Sequence, residues 1–257
     1  MKIGFLGTGA ISSAMITGLC STGAEHSIHV SPRNAETARD LARRFPQVTV
    51  ASSNQEVVDA SEIVVVAVRP PAAVEVLTAL RFRPDHHVIT LVNALSQQRA
   101  AALVAPAEHV VRAVPLPSTA QRRCPTAIFP ADGPTEELFN LLGAAFAVET
   151  ERQFEAFCTA TATMATYFSL MDTIASWLSR NGIPPSQSRD YIARIFSGLA
   201  DTAIEAPDRS FQTLASDHAT PGGINEHIVK TLTGRGVFDT LSEILDAVMR
   251  RVTAASQ

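Results

Sequence analysis

The sequence predicts an α/β protein, with a doubly wound parallel sheet over residues 1–150 and an all-helical domain over residues 151–257. In the first part, short apolar runs alternate with amphipathic segments of roughly ten residues, which is typical of parallel strands joined by helices. In the second part no strand pattern remains, and apolar residues recur at spacings of three and four, which is typical of helices.

The elements of the first part follow one another in βαβ order. The opening run MKIGFL is short and apolar, and the β-branched run EIVVVAV at residues 62–68 indicates a strand buried on both faces. Prolines are concentrated in residues 115–134, which we expect to be an irregular connection around a short strand. The expected strands are residues 1–6, 27–30, 47–51, 62–68, 88–92, 109–114, 127–129 and 145–148, and the expected helices are residues 10–19, 35–45, 54–60, 96–104 and 135–142.

The second part is expected to hold four long helices. The apolar stripe from Phe157 to Leu178 predicts one uninterrupted helix of about 30 residues that is apolar on more than one face. Further helices are expected over residues 184–205, after the turn at residues 221–223, and over residues 237–252.

Composition excludes several classes of protein. A chain of 257 residues with 46% hydrophobic and 18% charged residues is neither disordered nor of low complexity. A net charge of −4 argues against nucleic acid as a partner, and the chain lacks an apolar run of about 20 residues that would cross a membrane. Three cysteines without a Cys-x-x-Cys pair favour a reducing compartment, so we expect a cytoplasmic protein.

The segment GTGAIS, residues 7–12, lies between the first predicted strand and the first predicted helix. The first glycine permits a tight turn, the second lets the backbone approach a pyrophosphate, and Ser12 provides close helix–strand packing. Free N–H groups at the start of the helix attract phosphates. The segment therefore predicts a Rossmann-type dinucleotide site.

The end of the second strand favours NADP(H) over NAD(H). An acidic residue at this position would accept hydrogen bonds from the ribose of NAD, but the chain has Ser31, Arg33 and Asn34 there. Arg33 can pair with a 2′-phosphate through two hydrogen bonds, and Ser31 or Asn34 can donate to it.

Histidines do not predict a metal site. His26, His29, His86, His87 and His109 lie at the ends of predicted strands, and none has a cysteine or carboxylate at a recognisable ligand spacing. We therefore expect no metal. The adjacent Ser216, Asp217 and His218 point in different directions and do not indicate a hydrolase triad.

Several segments together resemble the pyrroline-5-carboxylate reductase family over nearly the whole chain. The turn at Thr220, Pro221, Gly222 and Gly223 resembles the family's Ser-Pro-Gly-Gly turn, and the segment RAVP at residues 112–115 resembles its Arg-x-Met-Pro segment. The resemblance implies that the helical part is the dimerisation domain of a homodimer. It also implies cofactor contacts by Gly7, Thr8, Gly9, Ala10, Ile11, Asn54, Ala67, Val68, Arg69 and Pro70.

The implied reaction is NADP-dependent hydride transfer to the C=N bond of a small cyclic imino acid, such as 1-pyrroline-5-carboxylate. The N–H groups of Gly222 and Gly223, at the start of a helix, are expected to hold the substrate carboxylate. We expect Asn225 to hydrogen-bond the imine or the cofactor, His218 to be the candidate proton donor, and Thr220 to line the same cleft.

The chain also departs from the family pattern. Asn225 stands where the family has threonine, and residues 116–118 and 160–165 differ from its Asn-Thr-Pro and Ser-Gly-Ser-Gly-Pro-Ala segments. Two alternatives therefore stay open: a reductase of another small imine or keto acid, and a non-catalytic dinucleotide-binding regulator.

Overall fold

A computed structural model describes residues 1–256 of the chain. The strands are β1 Lys2–Leu6, β2 Ser27–Val30, β3 Val48–Val50, β4 Ile63–Val66, β5 His87–Thr90, β6 His109–Val114, β7 Cys124–Phe129 and β8 Gly143–Ala147. The helices are α1 Ala10–Cys20, α2 Ala35–Arg44, α3 Asn54–Asp59, α4 Pro70–Thr78, α5 Gln97–Val104, α6 Gly133–Leu141, α7 Glu151–Thr161, α8 Met164–Arg180, α9 Pro185–Glu205, α10 Phe211–Asp217, α11 Ile224–Gly234 and α12 Val237–Ser256. A short 3-10 helix spans Pro117–Gln121.

The eight strands form one sheet in the order β3-β2-β1-β4-β5-β6-β7-β8. All neighbouring strands are parallel except β6 and β7, which are antiparallel. This confirms the predicted doubly wound parallel sheet, with one reversal at β7 that the sequence did not predict. The carboxyl ends of β1, β2, β4 and β5 lie at one edge of the sheet, and the end of β7 lies at the opposite edge.

Both faces of the sheet are buried, as the apolar run of β4 predicts. Phe5 and Val65 belong to a core on one face, which α1, α2 and α6 cover. Leu6 and Val66 belong to a core on the other face, which α3, α4 and α5 cover. The alternation of neighbouring residues between the two cores follows from the two-residue period of a strand.

Helix α1 lies unusually close to the 3-10 helix. A Cβ atom added at Gly18 would lie 2.1 Å from the carbonyl oxygen of Thr119 and 2.7 Å from a Leu142 methyl group. Only glycine permits this approach without a backbone shift, so Gly18 helps to fix the position of α1 and of the loop that precedes it.

The chain forms two compact units. Unit 1 contains Met1–Cys158 together with the residues from Met249 onward, and unit 2 contains Thr159–Val248. Within unit 1, the Thr253 hydroxyl donates to the Glu155 carboxylate at 2.7 Å, which attaches the end of α12 to α7.

Unit 2 is built of helices and leaves many large apolar side chains exposed. A cavity of about 840 Å³ lies between α8 and α9, with Phe168, Met171 and Ile192 among its lining residues. The exposed apolar residues include Tyr167, Phe168, Leu170, Trp177, Tyr191, Ile195, Leu199, Ile204 and Phe211. An apolar surface of this kind is typical of a protein–protein interface. Within residues 1–256, no helix has both the length and the apolar character required for a membrane span.

Three expectations about the elements were wrong. The predicted helix of about 30 residues is two helices, α7 and α8, because tight turns replace the α-helical pattern at Ala162 and Thr163, where the Thr163 hydroxyl donates to Ala160 O at 2.8 Å. The strand that begins at Ile63 ends at Val66 rather than at residue 68. Helices α4 and α10 were not predicted; α4 begins with two prolines, which the first turn of a helix tolerates.

Candidate functional site

The glycine loop after β1 has the geometry that a dinucleotide requires. Gly7 has φ +99°, and a Cβ atom there would lie 2.7 Å from the carbonyl oxygen of Ala67, so only glycine fits. Gly9, by contrast, has no atom within 4 Å of the position of an added Cβ. The bare backbone at Gly9 therefore borders open space at the carboxyl edge of the sheet.

The start of α1 faces this space with free donors. Gly9 is the N-cap residue, and the first turn has neither a side-chain cap nor an acidic residue. Beside it, Thr8 is buried, and its hydroxyl has no hydrogen-bond partner within the described residues. Buried polar groups nearly always have a partner, so an unpaired hydroxyl next to an open helix start indicates a place for an anionic ligand. We name Thr8, Gly9 and the first turn of α1 the dinucleotide cradle.

Ser31 holds the loop instead of pointing outward. Its buried hydroxyl accepts from the Gly7 N–H at 3.2 Å and lies 2.7 Å from Asn54 Oδ1 and 3.1 Å from Phe5 O. Since these contacts already engage the hydroxyl, it is not available to a 2′-phosphate as the sequence suggested. Asn54 is likewise tied to Ser31, so both residues position the cradle.

Arg33 and Asn34 are the exposed polar residues at the end of β2. The Asn34 amide donates to Thr8 O at 3.1 Å and so fixes the loop from its other side. Arg33 has no ion pair or hydrogen bond among the described residues, and the segment from residue 31 to residue 35 contains no acidic group. The guanidinium is therefore free to meet an added negative charge.

The segment that follows β4 closes the same edge. Ala67 and Val68 continue out of the sheet, and exposed Arg69 precedes the two prolines that begin α4. Because Gly7 lies against the carbonyl of Ala67, this segment borders the glycine loop directly. Ala67 and Val68 thus border the glycine loop.

Unit 2 contains the turn that precedes α11. Gly222 has φ +74°, and the Gly223 N–H donates to Thr220 O at 2.8 Å. The Gly222 N–H donates to the Glu226 carboxylate at 2.9 Å. Both amides that we expected to hold a substrate carboxylate are therefore already hydrogen-bonded within the chain.

Glu226 itself is a charged group at the start of α11. Hydrogen bonds from the Lys230 ammonium and from the Gly222 N–H hold the pKa of this carboxyl below its usual range. A glutamate at the third position of a helix is a common partner for N–H groups before the helix, and the sequence contained this signal. Glu226 was not among the predicted site residues.

Asn225 and His218 are linked through the backbone. The Asn225 Nδ2 donates to His218 O at 2.9 Å, which leaves Oδ1 of Asn225 as the open acceptor. The His218 Nδ1–H donates to Leu214 O at 2.8 Å, so its Nε2 is the atom that remains for other partners. The structure thus brings Asn225, His218 and the Thr220 turn together within unit 2.

Unit 1 also contains a buried arginine with several partners. Arg112 is 1% exposed, its Nη1 lies 2.6 Å from a Glu151 carboxylate oxygen, and its guanidinium lies 4.6 Å from the centre of the Phe154 ring. Nη2 donates to Asn93 O at 3.1 Å. These contacts join β6 to the start of α7, and they identify the predicted RAVP segment as a structural junction.

Known proteins are similar to this chain over nearly its full length. Residues 2–94 match the family model described as NADP oxidoreductase coenzyme F420-dependent, and residues 151–255 match the one described as pyrroline-5-carboxylate reductase dimerisation. A pyrroline-5-carboxylate reductase of Pasteurella multocida is 24% identical over 264 residues, which cover 97% of this chain and 96% of the relative.

Solved structures give the same fold. A pyrroline-5-carboxylate reductase from Coxiella burnetii superposes with a TM-score of 0.87 at 21% identity, over 99% of this chain and 98% of the other. Plasmodium falciparum pyrroline carboxylate reductase with NADP bound superposes with a TM-score of 0.82 at 17% identity, over 100% of this chain and 98% of the other.

A Rossmann-type sheet with a dinucleotide cradle, followed by a helical dimerisation domain, defines a class of nicotinamide-dinucleotide-dependent oxidoreductases. Within this class, residues 151–255 match the dimerisation domain of the pyrroline-5-carboxylate reductases, and relatives of that name align with 97% of this chain, which confirms the resemblance found in the sequence.

Proposed function

We propose that the chain is an NADP-dependent reductase that transfers a hydride to the C=N bond of a small cyclic imino acid. The first candidate is 1-pyrroline-5-carboxylate, which would be reduced to proline. Similarity over nearly the whole chain supports this reaction, since the relatives are named pyrroline-5-carboxylate reductases. The observation that carries the proposal is the cradle, where Gly9 is bare and the buried Thr8 hydroxyl has no partner within the described residues.

The end of β2 supports NADP(H) over NAD(H). Arg33 is exposed with no partner among the described residues, and residues 31–35, directly after β2, contain no carboxylate that could accept from a ribose. A 2′-phosphate would gain charge-assisted hydrogen bonds from the guanidinium. The relative from Plasmodium falciparum has NADP in its structure.

Unit 1 would bind and orient the cofactor. The first turn of α1 and the Gly9 backbone would hold the diphosphate, while Ser31 and Asn34 keep the loop in place through Gly7 and Thr8. When bound, a reduced nicotinamide supplies the hydride. The protein's contribution is then position and charge, which together account for much of enzymatic catalysis.

Unit 2 would bind the anionic substrate at the start of α11. Glu226 occupies the Gly222 N–H, so the remaining donors are the first-turn N–H groups at Ile224 and Asn225, which have no acceptor inside the helix. A substrate carboxylate would use these groups or displace Glu226. Glu226 therefore acts as an internal competitor for this position.

Asn225 would contact the substrate nitrogen through its free Oδ1, which can accept from the N–H of a protonated imine. An amide has no proton to give at neutral pH, so Asn225 does not replace a catalytic acid. His218 has an available Nε2 for that role, and solvent is the other source.

The helical unit would form a homodimer. Its exposed aromatic and aliphatic residues, among them Phe168, Trp177 and Phe211, would be costly in a monomer. The match to a dimerisation model over residues 151–255 supports this assignment. Light scattering should give twice the chain mass, and a monomer at micromolar concentration would contradict the assignment.

The decisive experiment measures oxidation of NADPH and of NADH by the purified chain with 1-pyrroline-5-carboxylate. Asn225→Ala should lower kcat/KM at least about 10-fold, because a hydrogen bond to a charged group contributes about 1.5–3 kcal/mol. Asn181→Ala is the matched control, because the Asn181 Nδ2 also donates to a backbone carbonyl, that of Trp177 at 2.8 Å. The NADPH dissociation constant should stay the same in both variants.

The possible outcomes separate the alternatives. Turnover with NADPH that Asn225→Ala removes and Asn181→Ala retains supports the proposal. Tight NADPH binding without turnover, followed by activity on another cyclic imine in a panel, would favour a different substrate. Binding without turnover on the whole panel would favour a dinucleotide-binding regulator, and equal effects of the two variants would remove Asn225 from the site.

A further inference from the structure

Three side chains with metal-binding atoms meet at the amino edge of the sheet in unit 1, away from the cradle. His87 and His109 are the first residues of β5 and β6, and they are directly paired in the register of these two strands. Asp132 follows β7, and the antiparallel direction of β7 brings its carboxyl end to this same edge. Residues that are 22 and 23 positions apart in sequence therefore become neighbours only through the topology.

The distances among these groups suit one small cation. Asp132 Oδ1 lies 3.1 Å from His87 Nδ1 and 3.6 Å from His109 Nδ1. The three ligand atoms all lie within 4.8 Å of one another. The two imidazole rings are stacked at an interplanar angle of 21° with centroids 4.2 Å apart, so the half-exposed His109 ring has to turn for both Nδ1 lone pairs to reach one ion. A tetrahedral Zn²⁺ with ligand distances of about 2.0–2.1 Å separates its ligand atoms by about 3.3 Å. The two distances from Asp132 Oδ1 to the imidazole nitrogens, 3.1 Å and 3.6 Å, lie on either side of this ideal separation.

Two hydrogen bonds from Thr135 orient the Asp132 carboxylate. Asp132 Oδ2 accepts from the Thr135 N–H at 3.1 Å and from the Thr135 hydroxyl at 2.6 Å, while the Asp132 side chain is only 9% exposed. These bonds turn Oδ1 toward the two imidazoles. Metal ligands in proteins are generally held in this way by outer hydrogen bonds.

Hydrogen bonding alone does not account for the arrangement. His87 Nδ1 lies 3.1 Å from Asp132 Oδ1 and 3.3 Å from Oδ2, both within hydrogen-bond distance, whereas His109 Nδ1 lies 3.6 Å from Oδ1, which is too far for a hydrogen bond. An ion between the three atoms would satisfy both imidazoles and the carboxylate together. The His109 side chain is 50% exposed, so solvent can supply a fourth ligand.

We propose that His87, His109 and Asp132 form a binding site for a divalent first-row transition ion, with Zn²⁺ as the ion that fits best. Two imidazoles and one carboxylate are a borderline-soft ligand set that suits Zn²⁺ and Co²⁺ rather than Mg²⁺ or Ca²⁺. The ion joins β5, β6 and the start of α6, and it lies at the edge of the sheet opposite the cradle. It is therefore a stabilising site, separate from the proposed reaction.

The test uses the full chain after treatment with a chelator and dialysis. Titration with Co²⁺, followed by its visible absorption spectrum, and competition by Zn²⁺ give the stoichiometry and the affinity. Asp132→Asn keeps a good helix N-cap but removes the anionic ligand, and His109→Gln removes an imidazole that is half exposed. His227→Gln is the control, because it removes an exposed imidazole elsewhere.

We expect one ion per chain, bound more tightly than about 10 µM, and weakened at least about 100-fold by either ligand variant but not by the control. A Zn²⁺ concentration of about 100 times the dissociation constant should raise the melting temperature of the parent by about 5–10 °C and leave that of Asp132→Asn unchanged. Binding that is absent, or that the two ligand variants leave unchanged, would overturn the proposal.

Discussion

Replacing Gly9 with alanine separates cofactor binding from folding in unit 1. Gly9 has φ −82° and ψ −172°, an extended conformation that alanine also adopts, and no atom lies within 4 Å of the new Cβ. As an N-cap, alanine stabilises the helix less than glycine does, by about 1 kcal/mol. It also lowers the entropy of the unfolded chain, which stabilises the folded state by about 0.4–1 kcal/mol. The free energy of unfolding should therefore change by less than about 1 kcal/mol.

The effect on cofactor binding should be far larger. The new methyl group occupies the space through which a diphosphate approaches the backbone at the start of α1. Displacing the diphosphate weakens charge-assisted hydrogen bonds to backbone N–H groups, each of which contributes about 1.5–3 kcal/mol. Loss of two such bonds costs about 3–6 kcal/mol, which weakens NADPH binding by about two to four orders of magnitude.

Calorimetric or fluorescence titration with NADPH, together with thermal melting, measures both quantities. Gly7→Ala serves as the companion variant, since its φ of +99° and its approach to Ala67 O should cost stability as well as affinity. If Gly9→Ala bound NADPH within about threefold of the parent, the diphosphate would not lie over Gly9, and the assignment of the cradle would be wrong.

Four further predictions test other parts of the chain. Arg33→Gln should weaken NADPH binding about 5- to 30-fold and leave NADH binding unchanged, as titration with both nucleotides would reveal. Gly18→Ala should lower stability by about 2 kcal/mol, because the overpacking cost of about 3 kcal/mol exceeds a gain of about 1 kcal/mol in helix propensity. Gly133→Ala, where an added Cβ meets no atom within 4 Å, is its control in denaturant titration. Burial lowers the pKa of His86 below 6.5, so the unfolded chain binds a proton at a higher pH than the folded chain does. The free energy of unfolding should therefore fall as the pH drops through about 6.5. His86→Gln should make the free energy of unfolding less dependent on pH in this range. Glu226→Gln should lower the KM for an anionic imine without changing kcat, whereas an unchanged KM would place the substrate carboxylate elsewhere.

Much of unit 1 could be predicted because its signals are local. The apolar runs of β1 and β4 and the glycine pattern between β1 and α1 depend on neighbouring residues, and each was found where the sequence placed it, with β4 ending two residues early. The reversal at β7 could not be predicted, because strand direction depends on which partner a strand reaches. Helix α4 was not predicted, although its two initial prolines suit the first turn of a helix.

The candidate site was predicted less completely, because hydrogen bonds decide which of its polar groups are free. Ser31 was expected to meet a phosphate, yet the structure engages its hydroxyl with Gly7 and Asn54. The Gly222 amide was expected to be open, yet Glu226 occupies it. In both cases the residue type was compatible with the predicted role. The role was excluded by a hydrogen bond to a residue that is close in the folded structure.

The two edges of the sheet show why one site could be predicted and the other could not. The cradle at the carboxyl edge depends on consecutive residues of a single loop, so a pattern of glycines is enough to find it. The histidines at the amino edge lie on separate strands, and Asp132 reaches them only because β7 runs in the opposite direction. The absence of a ligand spacing in the sequence therefore says little about a site whose ligands lie on different strands. For such a site, strand register and direction are the information that decides.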